Sequence, residues 1–300
     1  MNEKILVIGS SNTDMVVQSA TLPVPGETIL GGEFLMNPGG KGANQAVAAA
    51  KLEGNVTFIT SIGQDVFGEE ALKGFKNHGI DTSYIIQQPD LPSGVALIMV
   101  DKKGENCISV ASGANNALDK EVIDKAKNSF DNASYLLMQL EVPLETVSYA
   151  AEIAFDQGIK IILNPAPAQK LPDDLLAKLY MITPNETEVK LLTGVDVTDE
   201  TSALEAANVL RTKGVKIVII TLGKKGAFVV SDNMQELISP PQVKAIDTTA
   251  AGDTFNGALV VGLAEGMTLK EAVQFANKAA AFSVTRLGAQ SSTPLKKELN

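Results

Sequence analysis

With 300 residues, 45% of them hydrophobic, the chain is long enough to bury a large core and suits one large α/β domain with an insertion or two smaller domains. Its 35 acidic and 25 basic residues give a net charge of −10, which argues against nucleic acid or an anionic membrane as partner, because both reward clustered Lys and Arg. Cys107 is the single cysteine and His78 the single histidine, so an intramolecular disulfide, a Cys-built metal site and multi-histidine metal chemistry are excluded. His78 sits in Lys76-Asn77-His78-Gly79, which reads as a solvated helix end.

The first element is the apolar run Ile5 to Ile8, a predicted buried strand that is too short for a signal peptide. No window approaches the roughly 18 apolar residues of a membrane span, so the expected address is the cytoplasm. Asn12 and Asp14 follow this strand at its C-terminal end, where open parallel sheets bind ligands, with a plain turn as the alternative explanation. Residues 14–36 then read as strand-like segments joined by a turn at Pro23-Val24-Pro25-Gly26. Gly39-Gly40-Lys41-Gly42-Ala43-Asn44 opens a predicted helix over Ala43 to Leu52, with close backbone approach at the glycines and polar heads at Lys41 and Asn44. A strand at Val56 to Ile59 and a helix at Gly68 to Lys76 come next, and residues 94–110 form a second strand-like pair around Lys102-Lys103-Gly104-Glu105.

The remainder alternates strand and helix: Tyr135 to Met138, Leu144 to Phe155, Lys160 to Leu163, Tyr180 to Ile182, Ser202 to Arg211, Lys216 to Thr221, Thr254 to Leu263 and Lys270 to Val284. Such alternation predicts right-handed βαβ units and a three-layer αβα sandwich around a mostly parallel sheet. Residues 1–13, 37–93 and 111–300 are the expected core; residues 14–36 and 94–110 are the expected small β-sheet, placed as a flap over the active site, with a pair of ordinary edge hairpins as the alternative.

Candidate chemistry gathers at strand ends and helix starts. In Asp247-Thr248-Thr249-Ala250-Ala251-Gly252-Asp253-Thr254, small residues lead into a carboxylate at a helix start. Backbone amides there attract negative charge, so Ala251 and Gly252 read as an anion cradle with Asp253 as a proton acceptor beside it. A plain N-terminal cap is the alternative for Asp253. Glu141, at the end of a strand, is a candidate acceptor for ligand hydroxyls. Asn185 and Glu188 stand at a helix start where hydrated Mg²⁺ fits, although capping explains Asn185 equally well. Thr221-Leu222-Gly223-Lys224-Lys225-Gly226 is either a border for a nucleotide phosphate or an ordinary hairpin turn into Ala227 to Val230. The Walker A spacing and the Gly-x-Gly-x-x-Gly fingerprint are both lacking, since Ala43 follows Gly42 and Ser11 and Asp14 replace glycines after Gly9.

Over essentially its whole length the chain resembles the ribokinase family of ATP-dependent sugar kinases, also called the PfkB family. The resemblance rests on Gly39 to Ala46 and Asp247 to Thr254, with Asn185-Glu186-Thr187-Glu188 between them. Ala-Ala-Gly-Asp-Thr-Phe-Asn-Gly, Asn12-Thr13-Asp14 and Met138-Gln139-Leu140-Glu141 are similar to the branch that acts on ribose. Ala250 departs from the wider family, which more often has Gly there. The resemblance implies ribose held by Asn12, Asp14, Gly40, Lys41, Asn44 and Glu141, with Asp253 as general base toward O5 and Ala250, Ala251 and Gly252 shaping the anion hole. It implies ATP along Asn185, Thr221, Gly223, Gly226, Gly252 and Asn277, with Mg²⁺ held through water by Glu188. A monovalent cation, usually K⁺, is implied at Asp247, Thr249, Ser283, Arg286, Gly288 and Ser292, and a homodimer through the small sheet, which acts as a lid.

Other readings remain open at this point: a kinase of the same family for another free sugar or a nucleoside, or a non-catalytic sugar sensor on the same fold. A sugar-phosphate substrate fits less well, because Lys41 is the one cation among the candidate sugar contacts. A nicotinamide-dependent oxidoreductase is the remotest alternative.

Overall fold

The computed structural model describes residues 3–299. Met1, Asn2 and Asn300, which end the outer segments of the expected core, lie outside the described residues. The chain runs through β1 (Lys4–Ile8), β2 (Asn12–Gln18), β3 (Glu33–Gly39), α1 (Lys41–Lys51), β4 (Asn55–Gly63) and α2 (Val66–Asn77). It continues through β5 (Ile85–Gln88), β6 (Gly94–Val100), β7 (Asn106–Ala111), α3 (Lys120–Lys125), β8 (Ala133–Met138), α4 (Leu144–Asp156) and β9 (Lys160–Leu163). Then come α5 (Asp173–Leu176), β10 (Met181–Ile182), α6 (Glu186–Thr193), α7 (Glu200–Thr212), β11 (Ile217–Thr221), β12 (Ala227–Val230), β13 (Gln235–Ile238), α8 (Ala251–Ala264) and α9 (Leu269–Ser283).

Nine strands form the main sheet in the order β13-β12-β11-β10-β9-β8-β1-β4-β5, parallel except where β12 runs against both of its neighbours. Successive residues of each central strand enter opposite layers. Leu6, Ile8, Leu136, Met138, Ile161 and Leu163 join one core with α3, α4, α6 and α7. Ile5, Val7, Tyr135, Leu137 and Ile162 join the other, with α1, α8 and α9. Each fully buried Leu or Ile contributes about 1.5–3 kcal/mol, so strands buried on both faces are strongly driven into the sheet centre. The two strands that the sequence did not reveal, β5 and β13, lie at the two edges. Their runs Ile-Ile-Gln-Gln and Gln-Glu-Leu-Ile are half polar, as an edge position tolerates.

From β1 the chain passes to β4 and β5 on one side, then returns to β8 and builds outward on the other. This reversal puts a crevice at the C-terminal ends of β1 and β8, the place where open α/β sheets bind ligands.

A separate sheet of order β3-β2-β6-β7 stands beside that crevice. Its strands reach Asn12, Gly39 and Ala111, past the boundaries expected at 14, 36 and 110, because Asn12 pairs with both Gly39 and Gly94. Asn12 and Asp14 therefore belong to β2 and not to a turn. Residues directly opposite in a ladder point to one face, so Met15, Val17, Phe34, Met36, Leu97 and Met99 share the face opposite Asp14.

Candidate active site

Gly40, at φ +87°, turns the chain from β3 into α1, and a side chain on it would meet the Asn12 amide nitrogen at 2.7 Å. A Cβ at Gly39 would lie 2.3 Å from the Asp14 carboxylate and would displace that side chain from its present place. Gly40 lets β2 and the start of α1 approach as no side chain would allow. Glu141 closes the same corner from the end of β8. Its Oε2 accepts hydrogen bonds from the Lys41 amide at 2.9 Å and from Ser10 Oγ at 2.5 Å, so this carboxylate caps α1. Asn12 is oriented by Asn115, whose Nδ2 donates to Asn12 Oδ1 at 2.7 Å.

The N-terminus of α8 has no side-chain cap. Ala250 occupies the cap position in the left-handed region at φ +56°, and Asp253, at the third helical position, turns away from the helix amides. The capping reading of Asp253 is thereby replaced. Its Oδ2 accepts from Asn44 Nδ2 at 3.0 Å and its Oδ1 from Gln45 Nε2 at 2.9 Å. The backbone bonds that reach into this turn are Ala251 N–H to Thr248 O and Thr254 N–H to Ala250 O. Neither involves the Gly252 or Asp253 amide, which leaves those groups for an anion.

Charge accumulates in the crevice. Burial pushes the Asp253 carboxyl up, and the Lys41 ammonium and the Gln45 and Asn44 bonds pull it back only in part. Asp14 is pushed up to about 6, by burial first and then by Glu141 and Asp253, with Lys41 opposing. Burial works against the Lys41 ammonium, but the carboxylates of Asp253, Glu141, Glu188 and Asp14 outweigh it and hold its proton more tightly than usual. One cation thus stands among four acids, and its positive charge offsets part of the repulsion they would exert on a phosphate.

On the other side of the α8 mouth lies a cavity of about 500 Å³. All six positions expected to border a nucleotide, Asn185, Thr221, Gly223, Gly226, Gly252 and Asn277, line it. Its walls also include Pro240, Val243, Phe255, Ala280, Ala281 and Val284, an apolar set suited to a flat ring that the sequence reading missed. Asn277 braces that wall, donating through Nδ2 to Ile238 O at 2.8 Å.

The capping alternative for Asn185 holds as well: its Oδ1 accepts from the Glu188 amide at 2.8 Å, and Glu188 Oε2 accepts from the Asn185 amide at 2.8 Å. Burial raises the Glu188 carboxyl, against the Asn185 amide and Lys41. Glu188 is absent from the cavity wall and close enough to Lys41 to act on it. Mg²⁺ keeps several waters and takes one or two carboxylates plus phosphates, so this single buried carboxylate fits a water-mediated contact.

Beside α8, Asp247 accepts from the Thr249 amide at 2.9 Å through Oδ1 and from the Gly288 amide at 2.8 Å through Oδ2. The Ile246 and Asp247 amides both donate to Val284 O, and the Arg286 amide donates to Ser283 O. Asp247, Thr249, Ser283, Arg286 and Gly288 are thus drawn together where α9 ends. Ser283 Oγ and Ser292 Oγ bond to backbone oxygens of their own turns, Ala280 O and Ala289 O. The Arg286 guanidinium turns to Glu298 and the Phe282 ring, so its contribution to a cation site would be its carbonyl.

The sequence reading also missed Gln45, Ser10, Asn164 and Gln139, whose contacts cross more than 90 positions and leave no local pattern. Among the described residues no group of three or more His, Cys, Asp or Glu is placed to hold a metal ion, and no helix is long and apolar enough to cross a membrane.

The model for "pfkB family carbohydrate kinase" matches residues 2–296. The chain is 48% identical over 298 residues to the ribokinase of Haemophilus influenzae, covering 99% of this chain and 97% of that one. It is 43% identical over 302 residues to the ribokinase of Staphylococcus aureus, covering 100% and 99%. Among solved structures, ribokinase of Arabidopsis thaliana complexed with ribose and ATP matches with a TM-score of 0.93 at 32% identity, covering 100% of this chain and 98% of that one.

Proposed function

The chain belongs to the pfkB family of carbohydrate kinases, and on that premise we propose that it transfers the terminal phosphoryl group of ATP to O5 of D-ribose, releasing ribose 5-phosphate and ADP. One observation carries the reading. Asp253, bonded by Asn44 and Gln45, stands at the uncapped start of α8, with the 500 Å³ cavity on one side and Asn12, Asp14 and Glu141 on the other.

In the reaction the ribose oxygen forms a bond to the terminal phosphorus while the bond from that phosphorus to the bridging oxygen of ADP breaks, and the hydroxyl proton passes to Asp253. The transition state is loose, with charge spread over the outer phosphoryl oxygens, so alignment and electrostatic stabilisation are what the protein supplies. The Gly252 and Asp253 amides stabilise that charge, Ala250 sets their direction, and Ala251 leaves room for the phosphate. Lys41 offsets repulsion between phosphate and carboxylates. Asn12, Asp14, Gly40, Asn44 and Glu141 orient the sugar through its hydroxyls. A base so placed typically contributes about 10² to 10⁴ in rate.

Mg²⁺ would be reached from Glu188 through water and supplies charge neutralisation on the phosphates. A monovalent cation, K⁺ by preference, would be held at Asp247, Thr249, Ser283, Arg286, Gly288 and Ser292, and supplies positive potential next to the anion hole. The small sheet, carrying Asp14 on its inner face, acts as a lid over the sugar. The apolar outer row Val17, Phe34, Met36, Leu97 and Met99, all exposed, supports a homodimer through this sheet. The cytoplasm is the compartment in which ATP and free ribose would meet it.

The test is a panel of free sugars with Mg-ATP, followed by ADP release and product mass. Ribose is expected to give the highest kcat/KM, and Asp253→Asn to keep ribose binding while losing nearly all turnover. Phosphorylation of none of the sugars, or near-normal turnover by Asp253→Asn, would overturn the proposal.

A further inference from the structure

Asn44 and Gln45 are neighbours on α1, so their side chains leave the helix about 100° apart. Both nevertheless end on the Asp253 carboxylate, one on each oxygen. Asn44 is among the expected sugar contacts, and its Oδ1 accepts from Gln290 Nε2 at 3.2 Å. Gln45 is different: it is fully buried, and its partners are other side chains. Its Nε2 donates to Asp253 Oδ1 and to Asn164 Oδ1, each at 2.9 Å, while its Oε1 accepts from Gln139 Nε2 at 2.6 Å.

This arrangement has one consistent orientation. Asn164 Nδ2 donates to Thr183 O at 3.3 Å, so Asn164 turns its oxygen toward Gln45. Gln45 must answer with its NH₂, and that group carries two hydrogens, one for Asn164 and one for Asp253. A flipped Gln45 would set its oxygen against both the Asn164 oxygen and the carboxylate. The network continues through Thr183 Oγ1 to Asn256 Oδ1 at 2.7 Å, and from Asn256 Nδ2 to Gly252 O at 2.8 Å. Side-chain amides, joined through the backbone carbonyl and the hydroxyl of Thr183, therefore connect the carboxylate of Asp253 to the first turn of the helix that bears it.

We propose that Gln45 is a positioning residue for phosphoryl transfer: it fixes the rotation of the Asp253 carboxylate and favours its charged form, while leaving a lone pair on each oxygen for the substrate hydroxyl. The inference rests on Asp253 being the base. A donor to a carboxylate stabilises the charged form, and without it the buried acid would hold a proton to higher pH. Gln45 holds no expected sugar or nucleotide contact, so its removal acts on turnover and not on substrate affinity.

Gln45→Met keeps the length of the side chain and removes both donors. Its kcat should fall about tenfold or more near neutral pH, with KM for ribose and for ATP within about twofold of the parent. The acid limb of the kcat profile should move up by about one pH unit or more, so that activity recovers in alkaline buffer. Gln139→Met removes the donor that orients Gln45 while sparing the bond to Asp253, and should move the limb in the same direction by less. If Gln45→Met fails to fold, as read by thermal denaturation, the Gln139→Met profile decides. An unmoved limb in the folded variant, whether kcat is normal or falls at all pH values alike, would overturn the role. Should Asp253→Asn stay active, the base assignment fails whatever Gln45 does; should it be inactive while the limb stays in place, this inference alone fails.

Discussion

Replacing Gly257 by alanine would test whether the spacing of α1 and α8 sets the chemistry. Gly257 lies one turn beyond Asp253 and faces α1 directly; a Cβ there would meet Ala48 Cβ at 2.6 Å, Gln45 O at 2.8 Å and Ala49 N at 2.9 Å. Carbon atoms pack at about 3.5–4.0 Å, so the contact with Ala48 Cβ falls short by about 0.9 Å, and the other two neighbours, Gln45 O and Ala49 N, are backbone, which cannot step aside. Over-packing of this kind costs about 1–3 kcal/mol. Alanine recovers about 0.5–1 kcal/mol through its better helix propensity. The net effect is a loss, read as a fall in Tm of about 2–4 °C for each kcal/mol. Function should suffer more than stability. A rigid separation of about 0.9 Å would stretch the 2.9 Å bond from Gln45 to Asp253 toward about 3.8 Å, beyond hydrogen-bonding range. Turnover should therefore drop and its acid limb move up, as removal of Gln45 itself would do. The assay is paired thermal denaturation and a kcat profile against pH. Parental Tm together with parental kcat would refute the argument that close helix contact holds the base in place.

Asp14 gives a prediction with opposite signs for activity and stability. Its carboxyl, at about 6 in the fold against 3.8 when free, accepts hydrogen bonds from ribose hydroxyls more strongly when charged, so kcat/KM for ribose should fall as pH drops through about 6. The stability attached to it is complete below about 3.8 and is lost as pH rises through about 6, because the folded state holds the proton more tightly. Asp14→Asn should accordingly be no less heat-stable than the parent at pH 8 while its ribose KM rises; unchanged KM would remove Asp14 from the sugar site. Exchange of K⁺ for tetramethylammonium at fixed Mg-ATP should lower kcat, and Asp247→Ala should abolish the difference between the two ions. Equal rates for the parent in both salts would defeat the cation assignment. Phe34→Asp combined with Leu97→Lys, on the outer face of the small sheet, should convert a dimer to a monomer in sedimentation, and a monomeric parent would count against the dimer.

The architecture was legible because its signals are local. Buried strands such as Lys160 to Leu163 need continuous apolar runs, helices need an apolar stripe, and the two reappear in the fold within a few residues of expectation. Edge strands β5 and β13 escaped notice because an edge asks little of its side chains. The proposed anion cradle rests on a similarly local signal: close approach of a backbone demands small residues in succession, as at Ala250, Ala251 and Gly252.

What the sequence determined by itself was thus the α/β class, the separate small sheet and the candidate residues lying at strand ends. Only the tertiary structure decided that Asp253 bonds Asn44 and Gln45 instead of capping α8, that Glu141 caps α1, and that Gln45, Gln139 and Asn164 form one network. The reason is physical. A buried polar group must find a partner, but nothing in its own segment specifies which of the distant donors and acceptors will be brought within 3 Å of it.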